Sequence, residues 1–293
     1  MSHPGPPVSD GLPIHEASRL LGVPAPTLRA WERRYGVPET PRTEGGHRRY
    51  SAEALQQVRL MRDEVARGRR AGDAARSVHE MVGQAGLARA HVDGLLAASQ
   101  RMEPSGVRDA LDAAVAELGL DTTVDQVLMP AMRQVGRWWE TGRCDVAQEH
   151  FTTEAARGWL SKLAAFAPEP THEQPVVLGC GPRDLHTLGL EALGVLLCYR
   201  GRAVRVLGAR TPPHTLVTAA SATGAAGVVV VSHLSVGRRP AADAIRAVAA
   251  TGVPIFVAGN AFLFPRSRQS LPATYLGENL GDAAALVQST LTA

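Results

Sequence analysis

The chain has almost no lysine: 30 of its 31 basic residues are arginine, and Lys162 is the exception. Such a bias can follow genomic base composition, so the arginine count by itself assigns no partner. No apolar run reaches the roughly 18 residues that a membrane-spanning helix needs, which excludes a spanning segment. Residues 1–10 lack the charged and apolar regions of a signal peptide. Cysteine is scarce, and Cys144, Cys180 and Cys198 have the spacing of neither a metal site nor a disulfide framework. These absences lead us to expect a reduced, cytoplasmic protein. What is present is 45% hydrophobic residues in 293, enough for two or three domains with real cores. The charge is uneven. Residues 1–82 hold 13 arginines against 10 carboxylates, a net of +3, and the remaining 18 basic and 18 acidic residues cancel. A basic first third joined to a neutral remainder suits a nucleic-acid module attached to something else.

Within that first third, Ile14, Ala17 and Leu21 recur at helical spacing until Gly22-Val23-Pro24 stops the pattern. A second helix carries Leu28, Trp31 and Tyr35 on one face, and the tight glycine-containing turn between the two predicts helix-turn-helix. Arg29 and Arg33 lie four apart, away from the apolar face and beside Arg34, while Thr27 sits near the helix start, where a recognition helix meets base edges. Gly45-Gly46 between short extended arms predicts a hairpin, with Arg42 before it and His47, Arg48, Arg49 and Tyr50 after it. Ser51 then opens a third helix. The stretches Ile14 to Leu21, Thr27 to Gly36 and Gly46-His47-Arg48-Arg49-Tyr50 resemble the winged helix-turn-helix of MerR-family regulators over about residues 11–82. The resemblance implies binding to double-stranded operator DNA through Thr27, Arg29, Arg33, Arg34, Tyr35, Arg42, His47, Arg48, Arg49 and Tyr50. MerR relatives often dimerise through a long helix after the wing. Here Gly68, Gly72, Gly83 and Gly86 are expected to interrupt that region, so dimerisation is expected elsewhere.

Residues 87–166 carry helical periodicity in four segments, 87–100, 105–119, 122–139 and 146–166, which predicts a four-helix bundle. Pro130 predicts a kink in the third. Asp145 with Gln148 predicts a capped start for the fourth, putting Val146, Glu149 and His150 on one face. Trp139 followed nine residues later by Glu149-His150 resembles the helical cap of CarH-type light-responsive repressors. In that family the Trp covers the upper face of cobalamin and the Glu bonds its ribose, so the implied upper-face set is Trp139, Val146, Glu149 and His150. Some relatives carry a His after the Trp that takes cobalt from above once light has acted; this chain has Glu140, which leaves His150, water or nothing.

After the Pro-rich polar stretch 167–175, read as a linker, five strand-like runs follow at 176–180, 203–207, 227–232, 253–258 and 273–276. Helix-like segments alternate with them, which predicts a parallel, doubly wound, flavodoxin-like sheet of order 2-1-3-4-5. His186 follows the first run, Ser232-His233-Leu234 the third and Gly259-Asn260 the fourth, all at strand ends where such sheets bind ligands. Asp184-Leu185-His186-Thr187-Leu188-Gly189 resembles the D-x-H-x-x-G motif of cobalamin-binding domains, and the later segments resemble their S-x-L and Gly-Gly elements. The resemblance implies that His186 is the lower ligand of cobalt, held by Asp184, with Gly189, Ser232, Leu234, Gly259 and Asn260 around the cofactor. Ala258 is a departure, standing where one of the glycines usually is. His233 and His214 remain alternative ligands.

The expected architecture is multi-domain α and α/β. A winged helix-turn-helix spans 1–82, a four-helix bundle cap 83–168 and a Rossmann-type cobalamin-binding domain 169–293. The expected function is repression, not enzymatic catalysis, with adenosylcobalamin and light setting a homo-oligomer, a tetramer or else a dimer. Two alternatives stand beside it. One is a cobalamin methyl-transfer shuttle, which the N-terminal wing disfavours. The other is a MerR-type regulator that senses another tetrapyrrole, or a cobalamin form without light control.

Overall fold

The structure, a computed structural model, describes residues 11–41 and 46–292. They form two compact units that divide between Leu87 and Ala88.

In the first unit, α1 (Ile14–Leu21) and α2 (Ala25–Tyr35) are joined by Gly22, whose φ of 65° makes the left-handed cap that a side chain would strain. α3 (Ala52–Ala66) begins where Ser51 Oγ accepts from the Ala54 amide at 3.2 Å. Leu12 and Tyr50 pair as an antiparallel bridge, both N···O distances being 2.9 Å. The core comprises the buried faces of all three helices, including Leu21, Leu28, Val58 and Met61. Tyr50 belongs to it at 1% exposure. That corrects its assignment to the DNA-contacting set: its bridge to Leu12 turns the ring into the core. The hairpin tip and Arg42 lie outside the described residues.

A second correction concerns α4, which runs unbroken from Ala71 to Gln100 through Gly72, Gly83 and Gly86. Each glycine costs a helix about 1 kcal/mol relative to alanine. Burial at both ends offsets this: Ala74, Ala75 and Val78 lie in the first core and Ala88, Leu95, Leu96 and Ala98 in the second. Residues 83–87, where two of the glycines fall, are exposed.

The second unit continues with α5 (Pro104–Leu118), α6 (Leu120–Thr122), a π-helical turn (Thr123–Leu128), α7 (Met129–Glu140) and α8 (Val146–Ala165). With the end of α4 they make the expected bundle around Leu95, Leu111, Val127, Val135 and Trp159. The irregularity expected at Pro130 takes the form of the π turn just before it. The Met129 amide bonds five residues back to the Val124 carbonyl, absorbing the register that a residue without an N–H disrupts. Asp145 caps α8, its carboxylate accepting from the Gln148 amide at 2.8 Å.

Five parallel strands follow: β1 (His172–Cys180), β2 (Arg202–Gly208), β3 (Gly227–Val231), β4 (Ile255–Ala258) and β5 (Thr274–Tyr275). Their order, β2-β1-β3-β4-β5, is the expected one. Alternation sorts the strands' side chains between two cores. Val176, Leu178, Val229 and Val231 join the bundle with α9 (Leu188–Tyr199) and α12 (Leu280–Thr292). Val177, Val228 and Val230 face α10 (Pro213–Thr223) and α11 (Arg238–Ala249). Burial on both faces explains why these strands read as unbroken apolar runs. β1 starts at His172, inside the stretch expected to be a linker. The amides of Thr171 and His172 bond the Gly201 carbonyl at 2.9 and 3.1 Å, and the register shifts across Pro175, which has no amide to give.

Candidate functional site

β1 and β3 are neighbours, so the loops that leave their carboxyl ends meet. Asp184 lies between them at 1% exposure. One carboxylate oxygen accepts from the His186 amide at 2.9 Å and from His186 Nδ1 at 2.8 Å. The other accepts from the His233 amide, and His233 Nδ1 lies 3.3 Å from it. Burial opposes ionisation of this carboxyl, but the His233 ring, the two amides and the His186 ring outweigh it and hold Asp184 well below the usual carboxylate range. With Nδ1 committed to a carboxylate, each neutral imidazole presents its lone pair at Nε2. The His186 side chain is 58% exposed and carries that nitrogen into the open. The rings of His186 and His233 lie 5.3 Å apart. Beneath them the Cys180 thiol, pushed up to about 12 by burial and then by Asp184, is inert and donates to the His186 carbonyl at 3.5 Å.

Beside this pair opens a cavity of about 900 Å³, lined by Gly189, His233, Gly259, Asn260 and Tyr275, among others. Ser232 Oγ is buried and has no hydrogen-bond partner among the described residues. Gly259 has a φ of 97°, and a Cβ there would lie 2.2 Å from the Ser232 carbonyl oxygen. Phe264 in the cavity's lining is an exposed apolar side chain, as are Leu185, Leu234 and Val236 on the segments after β1 and β3. Such exposure marks a binding surface.

The bundle is fastened to this edge. Arg157 on α8 reaches Glu191 and Thr187 Oγ1, each at 3.2 Å, and Thr187 is next to His186. Asp125 in the π turn accepts from the amides of Leu280 and Gly281 at 2.7 and 2.9 Å, capping α12. Trp139, in the last turn of α7, is 53% exposed, and Val146 starts α8 at 51%. Glu149 is half-buried, accepting from Thr153 Oγ1 at 3.0 Å, and its other oxygen is 3.5 Å from His150 Nε2. Glu140 is exposed.

In the first unit, Arg29, Arg33 and Arg34 are exposed along α2, with Thr27 and Tyr35 half-buried. Glu32, on the same helix, is engaged twice: by Thr40 Oγ1 at 3.1 Å and by an ion pair with Arg48. Arg49 Nη1 donates to the Gly11 carbonyl at 3.3 Å, and its Nε is buried. His47 is exposed.

Residues 12–79 match the MerR HTH family regulatory proteins and residues 92–164 the B12 binding domain. The HTH-type transcriptional repressor CarH of Myxococcus xanthus is 32% identical over 278 residues, which are 88% of this chain and 91% of the relative. The chain belongs to the CarH family of MerR-type repressors. CarA of the same organism is 32% identical over 215 residues, 70% of each chain. The monomethylamine corrinoid protein of Methanosarcina barkeri has the same fold over 69% of this chain and 99% of its own, with a TM-score of 0.58 at 16% identity.

The site has what a bulky tetrapyrrole with a nucleotide tail needs. An exposed imidazole is hydrogen-bonded at Nδ1, a large cleft adjoins it, a buried hydroxyl has no partner among the described residues and a backbone stands where only glycine fits. Asp184, His186, Ser232 and Gly259 thus converge on one edge of the sheet, and Gly189 and Asn260 line its cleft. His233, an alternative ligand in the sequence, shares Asp184 with His186. Two contributors gave no local signal: Arg157 ties the bundle to the His186 loop, and Tyr275 walls the cleft.

Proposed function

We propose that this protein is a DNA-binding repressor whose assembly and operator affinity are set by adenosylcobalamin and by light, with working modules at 1–82, 83–168 and 169–293. The observation that carries the reading is His186, exposed, held at Nδ1 by a buried carboxylate and set beside a 900 Å³ cleft at the point where the sheet changes direction. When bound, cobalamin would supply a cobalt centre that can accept an imidazole nitrogen and a light-sensitive cobalt–carbon bond. His186 offers Nε2 to that centre, and Asp184 fixes the tautomer that leaves Nε2 unprotonated. Ser232 Oγ offers a hydrogen bond to the buried tail, and Gly259 makes room for it. Trp139 and Val146 would give the group an apolar cover, and Glu149 would offer a carboxylate to a ribose hydroxyl. Arg29, Arg33 and Arg34 face the operator. Several DNA modules in one tetramer gain operator affinity without new contacts, so loss of assembly releases DNA.

Operator binding and sedimentation of the adenosylcobalamin-loaded protein, in darkness and after green light, test this. A dark tetramer that binds operator and loses both properties in light is expected. Light-independent binding with retained cofactor favours the second reading, a MerR-type cobalamin sensor without light control, which Glu140 supports by putting a carboxylate where some relatives have a histidine.

A further inference from the structure

Asp184, His186 and His233 each offer a donor atom, and these atoms lie within 4.8 Å of one another. Two imidazoles and one carboxylate are a donor set suited to zinc and its first-row neighbours. We propose that these three residues form a site for a free divalent transition ion, Zn²⁺ being the probe of choice, in protein that holds no cobalamin. Three donors at about 2.1 Å from one ion stand roughly 3.4 Å apart, inside the present 4.8 Å limit, so the rings need only turn and shift slightly to close on one ion. The two rings can supply that movement, since the side chains of His186 and His233 are 58% and 29% exposed. Asp184 is the fixed member, kept in place by the amides of His186 and His233, which go on donating when the ring N–H groups withdraw. No proton need leave the protein: each neutral ring moves its proton from Nδ1 to Nε2 and gives the ion the Nδ1 lone pair.

A neutral imidazole has one lone pair. His186 therefore cannot serve an ion at Nδ1 and cobalt at Nε2 together, and the two occupants exclude each other. That exclusion, unlike the site itself, rests on the cobalamin reading. It adds a control in which a free ion competes with the cofactor for one histidine. His233 is what makes it possible, because without it Asp184 and His186 are only two ligands.

The test uses untagged, cofactor-free, full-length protein titrated with Co²⁺, whose d–d absorption reports the donor set, and with Zn²⁺ by calorimetry. One ion per chain is expected. His233→Ala and Asp184→Asn should each weaken uptake roughly tenfold or more, since loss of an outer-shell partner already costs that much. His214→Ala should leave it unchanged. Zn²⁺ at saturation should slow or prevent adenosylcobalamin uptake by wild type, with chelation restoring it, and should have no such effect on His233→Ala. No saturable Co²⁺ spectrum, or one that both His233→Ala and Asp184→Asn leave intact, would overturn the site. Failure of metal-free wild type to take up adenosylcobalamin would instead defeat the cobalamin reading and leave the Co²⁺ result to stand on its own.

Discussion

Gly259 stands where the backbone leaves no room for a side chain. Its φ of 97° is a conformation that side chains avoid, and a Cβ there would meet the Ser232 carbonyl at 2.2 Å. A non-glycine residue in such backbone costs about 1–3 kcal/mol before any clash is counted. Gly259→Ala should therefore lower the melting temperature of the unliganded protein and also block cofactor uptake; an unchanged melting temperature would show that the loop relaxes freely. Arg33 makes the corresponding point for DNA. It is exposed on α2, whereas Arg48 is paired with Glu32. Each phosphate contact adds about 0.9 to the slope of log K against log salt. Arg33→Ala should lower that slope by about one unit if the residue meets phosphate. If it reads a guanine, the loss should instead be about 1–3 kcal/mol at one operator position. No change in either would remove α2 from the interface.

Among the elements, α5 and α8 are joined by a polar contact at the surface of the bundle. Asp112 accepts from Trp159 Nε1 at 2.8 Å and from Lys162 at 3.0 Å. Partial burial works against its ionisation, but the bonds from Trp159 and Lys162 prevail and hold the carboxyl below its ordinary value. A carboxyl with a depressed folded pKa stabilises fully above its unfolded value of about 3.9, and that contribution disappears as pH falls through the folded value. Asp112→Asn should lower stability at neutral pH and lessen its further loss on acidification below about pH 4, read by thermal unfolding at a series of pH values. A parallel acid limb in mutant and wild type would exclude the effect.

The elements also show what a sequence makes legible. Val228 to Val231 forms a doubly buried strand, and such a run advertises itself. The bundle helices and the Asp145 cap are equally local signals. The continuity of α4 is not local: its glycines argue for a break, and the two cores that anchor its ends are assembled by other parts of the chain. The start of β1 depends on Gly201 and Arg202, some thirty residues downstream. In the site, Asp184 and His186 are two residues apart and legible as a pair. The bond from His233 to the same carboxylate crosses 49 residues and needs β1 and β3 to be neighbours. The pairing of Arg48 with Glu32 and the burial of Tyr50 escaped for the same reason: a basic-aromatic run has the same composition whether it faces solvent or the core.

At the scale of the whole molecule, a basic helix-turn-helix unit and a cobalamin-type unit share α4, and among the described residues no helix is long and apolar enough to cross a membrane. The account rests on one link between them, that the second unit takes cobalamin through His186 and that light acts there. The absorption spectrum of the reconstituted protein, recorded before and after green illumination in wild type and His186→Ala, tests it most directly. The account expects wild type to retain adenosylcobalamin through gel filtration and to change its spectrum on illumination. His186→Ala should lose the cofactor or show an altered dark spectrum. Wild type that retains no cobalamin, or a His186→Ala protein with unaltered affinity and an identical dark spectrum, would contradict it.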